Sequence, residues 1–471
     1  MTNEGEFSLA GVNIGITALD LEQTEHRGIA QVTKDVISAL ASEKANIYLI
    51  TSYGSSRLGK SDIKKISTTA IKEITLSDIL EKLKETKDPK NIYLKKLSLY
   101  LSLPKLILDY YLKLGEVPHT KYLLDTHHKN IHGDSERMSY LNKLKGIISS
   151  PGIFNICRLK SRRFILGTPK INLKKCDLDV LISSSPISIQ ITKNKFSSEK
   201  LIQIIHDAIP LLYNKHPDHP VHFYQRLKDA ITADQVLYVS ESTKTITNNI
   251  LETNNIDNAR SNIINPLPSI SSSLLEKAKS IDSKLNPKKN FILFNSSIVA
   301  RKNLDTLIYD FLSSDLPKND YKLFVAGKIH RNEYCNYIKE ISKQHDCIEL
   351  LDYVNEIDKA WLYLNAQAFV SPSATEGFGI PALDASSLGM KTLLSEIPSH
   401  IEIYRKIKNN KEINLIPTND SKSWIEYMNL ILEKNQTLDD KEKDFRISCY
   451  KDNKKNFSEK FNNTLKEIIL N

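Results

Sequence analysis

Short apolar runs alternate along this chain with longer stretches whose apolar residues recur every three or four positions, the patterns of buried strands and amphipathic helices. Residues 12–17 and 45–50 read as strands, and between them residues 28–41 carry Ile29, Val32, Val36, Ile37 and Leu40 on one helical stripe. Strand, loop, helix and strand in that order form a βαβ unit, the building block of a parallel sheet. The rhythm returns at residues 178–185 and 201–207, and again at 291–295, 323–327, 348–351, 368–370 and 391–395. It predicts an α/β protein with two Rossmann-like, doubly wound domains, at 1–265 and 290–437. Residues 266–289, with three prolines and a polar helix, read as the hinge, and residues 438–471 as charged helices.

Residues 57–175 interrupt this rhythm. Strings such as ILEKLKE and YLKKLSLYLSLPKLILDYYLKL have helical spacing and offer no obvious strand pairing, which predicts a largely helical insertion in the first domain. The segment is also basic: it holds 25 Lys and Arg against 11 Asp and Glu, a net of +14, while the rest of the chain holds 40 against 45, a net of −5. A charge excess confined to one segment points to an anionic partner or surface. Leu97, Leu101, Leu108 and Leu112, with Tyr100, Tyr110 and Tyr111, either add a shallow apolar anchor there or pack onto the first domain's core.

The 471 residues suffice for two domains with separate cores. Five scattered cysteines without a Cys-x-x-Cys spacing predict neither a disulfide framework nor a zinc site and fit a reducing cytoplasm. His127, His128 and His132 lie near Asp125 and Asp134, but without the spacing that defines a metal site. The opening MTNEGEFSLA has no signal-peptide character, and the most apolar stretch, 97–114, is broken by Pro104, Lys105, Asp109 and Lys113, so no spanning helix is expected.

Candidate chemistry concentrates between residues 368 and 395. Pro372 ends a buried strand. Gly377 and Gly379 then let the backbone approach a ligand, and a helix starting near Ile380, with Pro381 in its first turn, directs amide groups at the same spot. Glu376 stands at the mouth of this turn, and Asp384, eight positions on, is expected to face the same cleft. Two acids flanking an amide-lined turn suit a ligand carrying both phosphates and hydroxyls. The first βαβ unit lacks G-x-G-x-x-G, which disfavours a nicotinamide or flavin enzyme. His206, at a strand's carboxyl end, lies where such folds place ligand contacts.

The string SPSATEGFGIPALDA closely resembles the donor-site signature of retaining glycosyltransferases of the GT-B fold. The family pattern is Glu, seven residues, Glu; here the second acid is Asp384, one methylene shorter. NSSIVARKNLDTLIYDF resembles the family's second donor element, and HDAIPLLYNKHPDHPVHFYQRLKDAITADQVLYVSESTK its acceptor-domain segment. HRGIAQVT occupies the loop that faces the reaction centre, which makes Gly28 a site candidate, although a small residue at a helix start explains it as well. The resemblance implies two domains facing a cleft, with the terminal helices crossing back to the first. It also implies a hexosyltransferase using a nucleotide-diphosphate sugar, with no cofactor and no metal. In that reading Arg301, Lys302, Gly377, Phe378 and Gly379 hold the donor, Asp384 binds its ribose, and Glu376 and His206 serve the reacting sugar. The acceptor would be a glycan or lipid-linked chain in cell-surface polysaccharide synthesis, at the inner face of the cytoplasmic membrane. Rivals are a sugar-nucleotide epimerase or glucan phosphorylase of the same fold and, from another class, a nucleic-acid-binding protein using the basic segment, although that segment has few of the motifs of RNA modules.

Overall fold

A computed structural model describes residues 8–23, 28–54, 68–85, 104, 106–108, 110–112, 115–133, 136–194, 198–213, 216, 218–251, 260–281, 283–285, 289–433 and 438–471. The chain forms two compact units. One comprises residues 1–239, 246–264 and 461–471, and the other residues 240–245 and 265–460.

The first unit is built on an eight-stranded sheet. Its strands are β1 (Asn13–Thr17), β2 (Asn46–Thr51), β3 (Thr120–Leu123), β4 (Gly146–Ser149), β6 (Val180–Ser183), β8 (Lys200–Ile205), β9 (Gln235–Tyr238) and β10 (Ser261–Ile263). The short β5 (Lys170–Ile171) and β7 (Gln190–Ile191) pair separately. The strand order is β10-β9-β8-β6-β1-β2-β4-β3, parallel throughout except for β3. Chain order runs outward from β1 in one direction and from β6 in the other, so the switch point lies between these two central strands. The Gly28–Ser42 helix returns the chain from β1 to β2 and buries Ala30, Val32, Val36, Ile37 and Leu40; Ile29, expected on that stripe, is exposed at the helix start.

The second unit has six parallel strands: β11 (Phe291–Asn295), β12 (Lys322–Ala326), β13 (Ile348–Asp352), β14 (Ala368–Ser371), β15 (Lys391–Ser395) and β16 (Ile413–Ile416). Their order is β13-β12-β11-β14-β15-β16, which sets a second switch point between β11 and β14. Leu293, Phe294, Val325, Phe369 and Leu393 are almost completely buried, as strands covered on both faces require.

Three expectations need correction. Residues 57–175 are not a helical insertion alone: β4 pairs with β2 along its whole length and β3 with β4, so part of the segment belongs to the sheet. These strands are short and flanked by lysines, which hid them behind the helical spacing around them. Residues 266–289 do not stand apart as a hinge; they group with the second unit, where the Ser272–Lys279 helix packs against the Glu356–Asn365 helix. The chain's end is one helix, Asp440–Leu470, of which residues 440–460 group with the second unit and 461–471 with the first. Residues 95–101, which include part of the expected apolar anchor, lie outside the described residues.

Candidate active site

In the second unit, the loops leaving β11 and β14 bring Arg301, Lys302 and Glu376 together at the switch point. Arg301 and Lys302 sit in a short turn after β11, where Lys302 is 4% exposed. The Lys302 ammonium pairs with Glu376 Oε1, and Arg301 NH1 donates to Glu376 Oε2 at 3.3 Å and to Thr375 O at 2.7 Å. Ser373 Oγ also donates to Glu376, at 2.9 Å. Burial raises the Glu376 carboxyl, but Lys302 and Arg301 outweigh it and hold the group at about 2. The trio is therefore ionised near neutrality, with one cation in excess.

The glycine turn lies beside it. Gly377 O accepts from Ser240 Oγ at 2.6 Å, and Ser240 Oγ accepts from Thr243 N at 2.9 Å, so one hydroxyl caps a helix and fixes the turn. Phe378 is buried. Gly379 has φ +98 and precedes the Ile380–Ser387 helix, whose first amides have no carbonyl one turn back to bond. A Cβ on Gly379 would stand 3.4 Å from Nε2 of His400, a residue the sequence reading did not single out. His400 is fully buried, and its Nδ1 lies 2.9 Å from the Ser395 carbonyl, which can only accept. The proton is thus on Nδ1, and Nε2 has no hydrogen-bond partner among the described residues. Burial pushes His400 down to about 4, against the pull of Glu376.

Asp384 differs from its expected place. It is 1% exposed, and its oxygens accept from Ser269 N at 2.5 Å and Ser269 Oγ at 2.6 Å, with the Tyr450 hydroxyl 3.1 Å away. It ties the segment entering the unit to the long terminal helix. Glu402 likewise accepts from Glu241 N at 2.9 Å and Asn265 Nδ2 at 2.8 Å.

The first unit gathers its own polar group at the β1/β6 switch point. His206 follows β8, and its Nε2 lies 2.6 Å from Ser184 O, which again fixes the proton on that nitrogen. Beside it Asp20, on the loop after β1, is 4% exposed and accepts from Ser185 Oγ at 2.6 Å and Ser184 Oγ at 3.0 Å. Burial raises the Asp20 carboxyl, and nearby His206 lowers it less. Asp20 was not singled out in the sequence; its place in the loop after the first strand was the available signal. Gly28 is the exposed first residue of its helix.

Residues 276–451 match the family described as glycosyl transferases group 1. An O-antigen chain mannosyltransferase of Salmonella typhimurium is 24% identical over 245 residues, which is 49% of this chain and 64% of that protein. A serotype-specific mannosyltransferase of Escherichia coli is 28% identical over 218 residues, 43% of this chain and 26% of the longer relative. The chain thus spans less than two thirds of either relative. Among solved structures, an Anabaena protein in complex with UDP and glucose aligns over 97% of this chain and 98% of its own, with a TM-score of 0.54 at 11% identity.

Proposed function

We propose that this chain, whose residues 276–451 match the glycosyl transferases group 1 and which has the GT-B fold, is a retaining transferase moving a hexose, of the mannose type, from a nucleotide-diphosphate sugar to a glycan or lipid-linked acceptor in surface-polysaccharide synthesis. The observation that carries this reading is the convergence of Arg301, Lys302 and Glu376 beside a helix start at the β11/β14 switch point. Breaking the bond between sugar and diphosphate puts negative charge on the leaving phosphate. Arg301, Lys302 and the first amides of the Ile380–Ser387 helix are the cations and dipoles that would receive it. Glu376 would hold sugar hydroxyls and stabilise the positive charge that develops at the anomeric carbon.

The low pKa of Glu376 also supports the stereochemistry. A carboxyl held at about 2 is too weak a base to take the acceptor's proton near neutrality. With Asp384 enclosed by its own donors, no second carboxylate among the described residues joins Glu376 in its cluster for a glycosidase-type double displacement. The leaving phosphate oxygen then takes the proton as the acceptor attacks from the same face, and configuration is kept. His206 would orient the sugar, its proton being committed to Ser184 O.

We place the enzyme at the inner face of the cytoplasmic membrane, attached through its basic segment; no helix among the described residues is long and apolar enough to cross a membrane. The test is a panel of UDP-, GDP- and dTDP-sugars, scored for hydrolysis without acceptor and, with acceptor, for the anomer formed. Hydrolysis of one donor class that survives EDTA is expected. Inversion at the anomeric carbon would overturn the mechanism, and isomerised donor with no transfer would favour an epimerase.

A further inference from the structure

Leu166, Leu112 and Phe164 are the most exposed large apolar residues described, at 81%, 72% and 67%. Hydrogen bonds join the two segments that carry them. Phe164 and Leu166 stand on the bend that follows the Ile153–Ser161 helix, and Leu112 shares a helical stretch with Tyr110 and Tyr111, whose hydroxyls hold that bend. Tyr110 donates to Leu166 O at 3.2 Å, and Leu166 N donates to the Tyr111 hydroxyl at 3.0 Å. Gly167, at φ +74, turns the chain there, with the Tyr110 hydroxyl 3.4 Å from where its Cβ would stand. Ile165, between the two exposed side chains, is buried in the unit's core. The bend is therefore anchored from below while Phe164 and Leu166 are held outward, and uncovered apolar surface of this kind marks a place of contact.

The surrounding charge decides what makes the contact. Residues 137–176 contain ten Lys and Arg and no Asp or Glu. Arg158, Arg162, Arg163 and Lys170 are exposed around the bend. A second copy of the chain meeting this face about a two-fold axis would bring like charges together. A nucleic-acid backbone would satisfy the arginines and leave Leu166, Phe164 and Leu112 uncovered. An anionic bilayer satisfies both, with phosphates at the surface and an apolar layer directly beneath.

We infer that the 162–168 bend is the enzyme's bilayer wedge: Phe164 and Leu166 enter the headgroup boundary while Arg162 and Arg163 meet lipid phosphates. The inference rests on the membrane part of the reading above and gives it a surface. The test floats the full chain with vesicles of equal parts phosphatidylglycerol and phosphatidylethanolamine, in low and high salt. Phe164 and Leu166 are exposed, so F164S/L166S is expected to keep the wild-type unfolding midpoint. It should bind roughly tenfold more weakly in low salt and release completely in high salt, where the wild type retains a bound fraction. R162E/R163E should lose low-salt binding, and Phe164→Trp should show a blue-shifted emission on vesicles. Wild-type behaviour of F164S/L166S would overturn the wedge and leave the charge-driven attachment standing. A shift in oligomeric state on the same substitutions, without vesicles, would assign the face to a second copy and overturn it as well. If the wild type ignored these vesicles in low salt, wedge and membrane reading would fall together, while donor hydrolysis in the same preparation reported separately on the nucleotide-sugar site.

Discussion

The two units place their polar residues at the same point of the same kind of sheet and fill it with different chemistry. At the β11/β14 switch point stand two cations and an anion, largely enclosed and ionised. At the β1/β6 switch point stand an imidazole, two serine hydroxyls and one acid that burial pushes toward its neutral form. A parallel sheet opens a crevice where its chain order reverses, so topology fixes where a ligand goes in both units. The side chains then decide what it is. Full charges suit the end of the donor where charge develops, and hydroxyls with an imidazole suit sugar groups whose charge does not change.

The largest expected effect tests that division directly. Lys302→Ala should lower turnover roughly 10²-fold or more, as removal of a donor to a developing oxyanion does elsewhere. Ser185→Ala, in the hydroxyl-rich site, should cost less than about tenfold. Because Lys302→Ala strands a buried carboxylate, the double variant K302M/E376Q, neutral and of similar shape, serves as the folding control. Equal losses in the two units would break the comparison.

Acid should separate the units next. Glu376 titrates at about 2 in the folded chain, below its ordinary 4.5, so its contribution is complete above about 4.5 and is lost as pH falls through 2. His400, held at about 4 against 6.5, stays neutral in the fold while the unfolded chain takes up a proton, so stability is also lost from pH 6.5 down to 4. Each is worth up to about 3 kcal/mol. Urea unfolding of the second unit's transition should weaken in two steps on acidification. His400→Asn should flatten the first step and leave the second; an unchanged profile would show that His400 is not buried neutral.

Much of this contrast was legible beforehand, and the exceptions have physical reasons. The strands of the second unit read clearly because they are covered on both faces and so are continuously apolar; β16 escaped because Asn414 breaks its short run at the sheet edge. Glu376 stood out beside the glycines between strand and helix, whereas Arg301 and Lys302 stood out through the resemblance of the string that carries them. Asp384 was legible as a residue, but its partners were not. Spacing along a helix gives the direction of a side chain only relative to that helix, and Ser269 and Tyr450, which enclose Asp384, are distant in sequence. His400 left no local mark, and Asp20 only its place after the first strand, because each works through partners on other strands or loops.

Asp384 supplies the third prediction. Tyr450→Phe removes a hydroxyl that accepts from Ile270 N at 2.7 Å and lies beside Asp384, leaving a buried amide unpaired. Stability should drop by about 1–2 kcal/mol. If Asp384 is a tie within the unit, KM for the donor should stay at the wild-type value; a severalfold rise in KM with unchanged stability would return Asp384 to the ribose.

The smallest effect is the one whose sign matters most. Asp20 is an acid whose folded pKa is raised by burial, the opposite of Glu376. Its contribution is complete below the ordinary carboxyl range and declines as pH rises through the folded value, because the fold then holds a charge that the unfolded chain exposes to water. Asn at this position keeps an acceptor for Ser184 and Ser185 and carries no charge. Asp20→Asn should therefore leave stability nearly unchanged in acid and raise it slightly at neutral pH, within about 1 kcal/mol. His206 would lose its nearby acid, and transfer to acceptor should fall more than acceptor-free hydrolysis, since the proposed diphosphate contacts are residues of the other unit. A loss of stability at neutral pH would mean that Asp20 is ionised and paired with a His206 cation. Both units would then work through buried ion pairs, and the contrast between a charged and a neutral crevice would disappear.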